Sequence, residues 1–430
     1  CYRWIVMSDE KKLLEMKGLL KKNVPEKQPK KEVPEIALPF YTEQWKQAGL
    51  KLIKNEKGFF FLKETFYRKK HIHGTIGLDK LEEAISFMQE RYPNHPLTVS
   101  PGNPFCFYDT ETTGLKGTGV LIFLNGILKK APGGYLLSQY VLVEPGQEAA
   151  FLLATEFWKD TQTIITYNGK SFDIPQLNTR WTMNRNNLPP LKEHEQIDLM
   201  HSSKRIWKGD LERFKLKQIE ESKLGFTRKN DLPGHLAPII YFDAVKQGDP
   251  TNLMRILKHN EWDILSLATL YTLSIDLLKK EESLETANTY TNIGKWFKDL
   301  KSKDASNKWF EFVVDQFSES ETSVAYFYIG LHLKRQNLIE ESVEAFEIAL
   351  KEIDGKYRLK VLVELAKLYE HQKKDYQKAL EKTQECLDYW SKTRMDSPKG
   401  FEGELLKREI RIKRKIDISR ESAQPNKKRT

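Results

Sequence analysis

At 430 residues the chain exceeds what a single hydrophobic core organises, so two folded domains plus less ordered segments are expected. Apolar residues make up 39% of it, enough for real cores, yet no apolar run reaches the length of a membrane-crossing helix, which argues for a soluble, cytoplasmic protein with no membrane partner. A formal charge of +10 favours a polyanionic partner such as nucleic acid, and three distant cysteines, Cys1, Cys106 and Cys386, exclude a disulfide framework or a clustered thiolate zinc site.

The opening CYRWIV is too short and lacks the apolar region of a secretion signal; Met7 is a candidate start that would leave six residues outside the native protein. After an amphipathic stretch at Leu13–Leu20, the Lys, Glu and Pro run KKNVPEKQPKKEVPE has almost nothing to bury, so residues 1–35 read as a flexible segment. Residues 36–100 combine a strand, GFFFLKETFY, with a helix, LDKLEEAISFMQERY, that ends before Pro93; they read as an α+β buttress for the domain C-terminal to them.

From 101 to 280, strands FCFYDTE, VLIFLNGILKK and YLLSQYVLV precede a helical FLLATEFWKD, the strand TIITYN and further helices. That order predicts a mixed sheet flanked by helices. Beyond Lys280 the pattern is helical and repeats at an offset of 36: Tyr290, Ile293, Gly294 and Phe297 align with Tyr326, Ile329, Gly330 and Leu333, then with Leu362, Leu365, Ala366 and Tyr369. Second helices carry Phe310, Phe346 with Ala349, and Ala379. Paired helices meeting at a small residue resemble the tetratricopeptide pattern over 281–398, against the plainer reading of an ordinary helical bundle. The tail, 399–430, is basic; Ile410, Ile412 and Ile416 suggest a capping helix, and its cations are candidates for phosphate contacts.

Four acids carry the chemistry. Asp109 and Glu111, two apart at the end of the apolar strand FCFYDTE, project from one face, where two ionised carboxylates repel unless a hard cation such as Mg²⁺ or Mn²⁺ neutralises them. Asp173 follows the strand TIITYN at a helix start marked by Pro175, and Asp263 lies on the amphipathic helix RILKHNEWDILSLATLY with His259 one turn before it. Acids from a strand, a turn and a helix can converge on two cations about 3.5–4 Å apart, an arrangement suited to phosphodiester hydrolysis. His259, titrating near neutrality, would take the proton of the attacking water.

The stretches DTETTGL, NGKSFD and HNEWD resemble the three motifs of the DEDD 3′→5′ exonucleases of the ribonuclease-H-like superfamily. With IDLMHSSKRIW, LGFTRKNDLPG and the helical tail, the chain is similar to the bacterial YprB-like group, firmly over Phe105 to Leu273 and loosely beyond. The resemblance implies an α/β ribonuclease-H-like domain followed by an all-α tetratricopeptide-like domain. It implies two divalent cations, Mg²⁺ or Mn²⁺, on Asp109, Glu111, Asp173 and Asp263, and terminal nucleotides facing Thr112, Leu115, Asn168 and Phe172. It also implies DNA over RNA as substrate, in repair or related processing. One departure stands out: the family's histidine subtype places four residues between the histidine and the last aspartate, whereas His259 and Asp263 are separated by three, the tyrosine subtype's spacing.

Other features read more plainly. Gly114, Gly117 and Gly119 form no nucleotide-binding arrangement, and His71 and His73 lack the further ligands of a zinc site, so a strand-edge pair is expected there. Lys204, Arg205, Lys208, Arg213, Lys215 and Lys217 cluster between the second and third motifs, next to the acids, and are candidates for backbone phosphate contacts. Two further functions stay open: an interaction scaffold whose repeats recruit a partner such as a helicase while the nuclease fold only binds nucleic acid, and an exoribonuclease.

Overall fold

The computed structural model describes residues 38–115, 117, 119–279, 285–393 and 400–422. The stretch Leu13–Leu20 and the Lys- and Pro-rich run after it lie outside the described residues.

Seven strands build one mixed sheet, its central β6 and β8 buried on both faces. In chain order its strands are β1 (Lys51–Asn55), β2 (Gly58–Arg68), β5 (Phe105–Thr112), β6 (Ile122–Ala131), β7 (Gly134–Val141), β8 (Thr163–Thr166) and β9 (Glu195–Asp198), with β3 (Ile72–His73) and β4 (Ile76–Gly77) forming a separate short pair. The spatial order is β1-β2-β7-β6-β5-β8-β9, antiparallel from β1 to β5 and parallel across β5, β8 and β9. This is the expected antiparallel set followed by crossovers. Residues 51–68 are part of the sheet itself, since β2 pairs with β7 from Phe61↔Val141 to Arg68↔Gly134.

Helices cover both faces. Cys106 and Tyr108 of β5 point into a core closed by α1 (Thr42–Gln47), α3 (Glu148–Leu153), α4 (Asp173–Met183) and α7 (Ala237–Gln247). Phe107, of opposite parity, joins the core under α2 (Lys80–Arg91), α5 (Leu199–Ile206) and the long α8 (Thr251–Lys279). The helix expected at FLLATEFWKD is shorter than its sequence suggests: α3 stops at Leu153, and Glu156 adopts a left-handed φ of 63° that turns the chain away. A short α6 (Leu216–Ile219) runs on into a π-turn at Glu220–Leu224.

The second core continues without a break from α8 into the helical region, where Tyr290, Ile293 and Trp309 are fully buried with Ile275 and Leu278. There α9 (Ala287–Asp299), α10 (Lys303–Gln316), α11 (Ser323–Arg335), α12 (Ile339–Glu352), α13 (Gly355–Lys367) and α14 (Tyr376–Thr393) pair in sequence. The 36-residue offset is structural in the first two pairs. A Cβ on Gly294 would meet the Phe310 ring at 2.6 Å, and one on Gly330 the Phe346 ring at 2.7 Å. Ser306 Oγ donates to the Gly294 carbonyl and Ser342 Oγ to the Gly330 carbonyl, each at 2.9 Å. The third pair breaks the register, because Ala366 replaces the glycine and the chain opens into a π-turn at Leu368–Lys373.

The last described helix, α15 (Phe401–Ser422), buries Ile412 and part of Ile416 against the repeats, while Ile410, expected with them, is 55% exposed. Three of its cations, Arg408, Arg411 and Lys415, converge on the fully buried carboxylate of Glu370. These three cations therefore have a structural partner within the fold.

Candidate metal centre

The parity of β5 sets Asp109 and Glu111 on the side of Phe107, whose ring lies 6.2 Å from that of Tyr271 on α8. Directly beside Asp109 in β6 is Gly126, and beside Gly126 in β7 is Gln139. With no side chain at Gly126, α8 drops close to the sheet: a Cβ there would stand 2.2 Å from Asn260 Oδ1 and 2.4 Å from Ile264 Cδ1. Asn260 uses that proximity. Its Nδ2 donates to Asp109 Oδ2 at 2.8 Å, while its Oδ1 accepts from Gln139 Nε2 at 2.9 Å; the same Nε2 donates to the Leu257 carbonyl at 2.7 Å. One polar row thus fixes the roll of α8 against Asp109.

Asp173 opens α4, and its Oδ1 accepts from both Thr110 N, at 3.2 Å, and Thr110 Oγ1, at 2.5 Å, which ties the third acid to the strand carrying the first two. On α8, His259 and Asp263 are one turn apart, with Nε2 and Oδ2 separated by 3.3 Å. Ligand atoms of Glu111, His259 and Asp263 all lie within 4.8 Å of one another, the one such grouping among the described residues. Asp109 and Asp173 stand outside that grouping but close enough to perturb it. The three-residue spacing therefore keeps the histidine beside the acids.

The electrostatics show a site short of positive charge. Burial drives Asp109 far above the ordinary carboxylate range, reinforced by Asp263, Asp173 and Glu111. Burial also raises Glu111 to about 8; His259 opposes the rise, while Asp263 and Asp173 add to it. Asp173 is lifted to about 6 by burial, against the hydrogen bonds from Thr110. Burial alone would lower His259, but Asp263, Asp231 and Glu111 outweigh it and raise its pKa. Hard oxygen donors that resist ionisation for want of a counter-charge are the donor set a divalent cation fits.

Part of that charge comes from Arg228. Its Nε and Nη2 clasp the two oxygens of Glu220 at 2.7 and 2.6 Å, and Nη2 also reaches Asp263 Oδ1 at 2.5 Å. Glu220 is fully buried in the π-turn and accepts a further bond from Ser266 Oγ at 2.5 Å, to which His73 is linked at 2.8 Å. His73 is thus buried and tied into this network. Arg228, Asp231, His259, Asp263 and Lys217 line a cavity of about 390 Å³.

The remaining predicted residues sit around this centre in different ways. Thr112 is buried, its hydroxyl donating to the Gly114 carbonyl at 2.7 Å, and Leu115 is 79% exposed. Asn168 has a left-handed φ of 63°, held by its N–H donating to Asp198 Oδ1 at 2.8 Å, and Phe172 is half-buried just before α4. Lys215 is exposed at the head of α6, two residues before Lys217.

A family model described as RNase_H superfamily matches residues 106–275, the segment that holds all four acids. Over 354 residues the chain is 35% identical to the uncharacterized protein YprB of Bacillus subtilis (strain 168), covering 81% of this chain and 85% of that one. The chain belongs to the YprB family. Its sheet with flanking helices is ribonuclease H-like, and an all-helical region follows it, as the sequence led one to expect. A solved structure, Brucella melitensis NrnC bound to pGG, is 17% identical over 42% of this chain and 89% of that one, with a TM-score of 0.22, a likeness too slight to bear on fold or ligand. Among the described residues no helix is long and apolar enough to cross a membrane.

Several residues that shape the site in this family member were not singled out from sequence. Asn260 sits inside HNEWD between His259 and Asp263, and Arg228 and Asp231 lie in LGFTRKNDLPG, whose residue types alone carry no chemical signal. Glu220 and Asp198 had no local signal, because each works through a partner remote in sequence or on a loop.

Proposed function

We propose that the chain is a metal-dependent 3′→5′ exonuclease of the DEDD type, hydrolysing phosphodiester bonds of DNA. The reading rests above all on one observation: Glu111, His259 and Asp263 bring ligand atoms within 4.8 Å of one another, beside two further acids whose ionisation is suppressed by burial and mutual repulsion. Asp109, Glu111, Asp173 and Asp263 would hold the cations, Mg²⁺ or Mn²⁺, which when bound supply charge neutralisation at the phosphate and activation of water.

The rest falls to the chain's own groups. Asp231 accepts from His259 Nδ1, 2.6 Å away, and so leaves Nε2 to take a proton from the nucleophile. Thr112, Leu115, Asn168 and Phe172 would face the terminal nucleotides, with Asn168 and Phe172 bracketing the loop that delivers Asp173, and Lys215 would meet a backbone phosphate. The preference for DNA follows the family resemblance.

Matched DNA and RNA strands, single and double, labelled at either end, test this directly. Stepwise loss from the 3′ end of DNA in Mg²⁺ or Mn²⁺, abolished by a chelator and by Asp109→Asn or Asp173→Asn in folded protein, is expected. Hydrolysis retained by those variants would end the assignment, and faster digestion of RNA would move it to an exoribonuclease.

A further inference from the structure

The nuclease fold and the helical repeats enclose a second cleft of about 710 Å³, lined by α5 on one side and by α9, α11 and α13 on the other. Lys204 and Lys208 enter it from the nuclease side, and Lys295 and Lys356 from the repeats. Three aromatic rings, Phe214, Tyr328 and Tyr357, line the same space. Tyr357 is ringed by cations: the ammonium groups of Lys295, Lys356 and Lys360 lie 5.3, 5.7 and 5.3 Å from its ring centre, and that of Lys298 lies 5.5 Å from the centre of Tyr328.

Among the described residues none of these six lysines is ion-paired with a carboxylate, although such pairs are plentiful elsewhere, as between Lys334 and Glu364 on the repeats. The cleft's own acid, Asp299, is already engaged by Arg205. Like charges gathered beside half-buried rings repel one another, and among the described residues no carboxylate pairs with them. A groove of cations interleaved with aromatic rings is the chemistry that holds a single-stranded nucleic acid, phosphates on the lysines and bases on the rings.

Two links, each a short stretch of chain anchored by hydrogen bonds, join this cleft to the acid centre. Helix α5 begins at Asp198, whose carboxylate accepts from the N–H groups of Asn168 and Lys170 in the loop before Asp173, and then carries Lys204 into the cleft. On the other side, the Phe214 carbonyl accepts from Tyr167 Oη at 2.9 Å, and three residues later Lys217 lines the cavity of His259 and Asp263. Residues 214–217 form the sill between the two.

We propose that this cleft is an extended binding site for the single-stranded nucleic acid whose end enters the acid centre, so that the helical repeats act as part of the substrate channel. The proposal rests on the nuclease reading for its direction, but its binding chemistry stands apart from it.

The test uses the full chain, a chelator to stop hydrolysis, and fluorescence anisotropy with a labelled oligothymidylate over a range of salt concentrations. Lys204→Gln, Lys208→Gln and Lys356→Gln together alter exposed side chains, and circular dichroism checks that the fold is kept. The expected result is affinity weakened by about tenfold or more, with the slope of log K against log salt reduced by about 2, given roughly 0.7 for each phosphate no longer neutralised on a single strand. With Mg²⁺ present, the ratio of kcat/KM on a long strand to that on a dinucleotide should fall in the same variant.

Unchanged affinity and slope would overturn the proposal, as would polyglutamate displacing the oligonucleotide at equal charge, which would mark the cleft as a site for an acidic protein segment. If the unmodified chain binds the strand through these lysines but hydrolyses nothing with either cation, the nuclease reading fails and the cleft assignment survives. If long strands are degraded equally by both proteins, the reverse holds.

Discussion

Asp231 Oδ1 stands 2.6 Å from Nδ1 of His259, a residue on a loop gripping the ring of one on α8. Arg228 Nη1 also lies 3.2 Å from that nitrogen. A guanidinium has only protons to offer, so Nδ1 cannot both accept from Arg228 and donate to Asp231; the shorter contact and the raised pKa of His259 assign the proton to the bond with Asp231. Nε2 is then left facing Asp263. Asp231→Asn removes a charge that raises the pKa of His259, so the acid limb of the kcat–pH profile should move to lower pH. The loss of ring orientation should lower kcat by about 10- to 100-fold. An unshifted limb with an unchanged kcat would remove His259 from the role of base.

Cation affinity should depend steeply on pH. Glu111, raised to about 8, Asp173, raised to about 6, and Asp109, pushed well above the ordinary carboxylate range by burial, hold protons in the metal-free protein that a cation must displace. Binding should therefore weaken as pH falls from 8 to 6 and release protons, seen as a dependence of calorimetric heat on the buffer's ionisation enthalpy. The same shifts bear on stability. A carboxyl whose folded pKa is raised contributes stability below its unfolded value, near 4, that is lost as pH rises through the folded value. Asp109→Asn should accordingly stabilise the metal-free chain near pH 8, by roughly 1–3 kcal/mol, while abolishing hydrolysis. A thermal melt in chelator reads the first effect.

How much of this was legible beforehand depends on the range over which each signal acts. Asp109, Glu111, Asp173 and Asp263 stand in short motifs whose strand, turn and helix settings are local, and β5, α4 and α8 place them as those settings imply. The 36-residue repeat was readable for a similar reason: Gly294 and Gly330 each meet a phenylalanine sixteen positions on, within one helical pair. Glu220 was not readable, since its worth lies in Arg228, Ser266 and the end of α8, joined only when the π-turn folds against the helix. The partner of Arg408, Arg411 and Lys415 was not readable for a related reason: Glu370 lies some forty residues earlier and meets them only when α15 packs on the repeats.

Gly126→Ala should separate positioning from chemistry. The added methyl collides with Asn260 Oδ1 and with Ile264 Cδ1, neither of which can swing away within a packed core. Helix α8 must lift, breaking the bond from Asn260 to Asp109 and moving His259 and Asp263 away from Glu111. A stability cost of about 1–3 kcal/mol is expected, with a larger proportional loss in kcat than in the folded fraction. Full activity in this variant would show that the approach of α8 to the sheet does not set the geometry of the centre.

Glu370 ties α15 to the repeats, and its removal should free that helix. Burial alone would raise its pKa, but hydrogen bonds from Arg411 and Lys415 and the charge of nearby cations hold it down to about 2. A depressed carboxylate contributes stability above its unfolded pKa, near 4.3, and that contribution is lost as pH falls toward 2. Glu370→Gln leaves three cations facing a neutral amide, and because Arg411 and Lys415 retain access to water the cost should be about 1–3 kcal/mol, below that of a fully buried pair. The loss should concentrate in α15, whose Ile412 would open to solvent, so amide hydrogen exchange across residues 401–422 should quicken at pH 7 while exchange in β5 and α8 stays the same. Uniform acceleration along the whole chain would instead mean that Glu370 supports the fold globally.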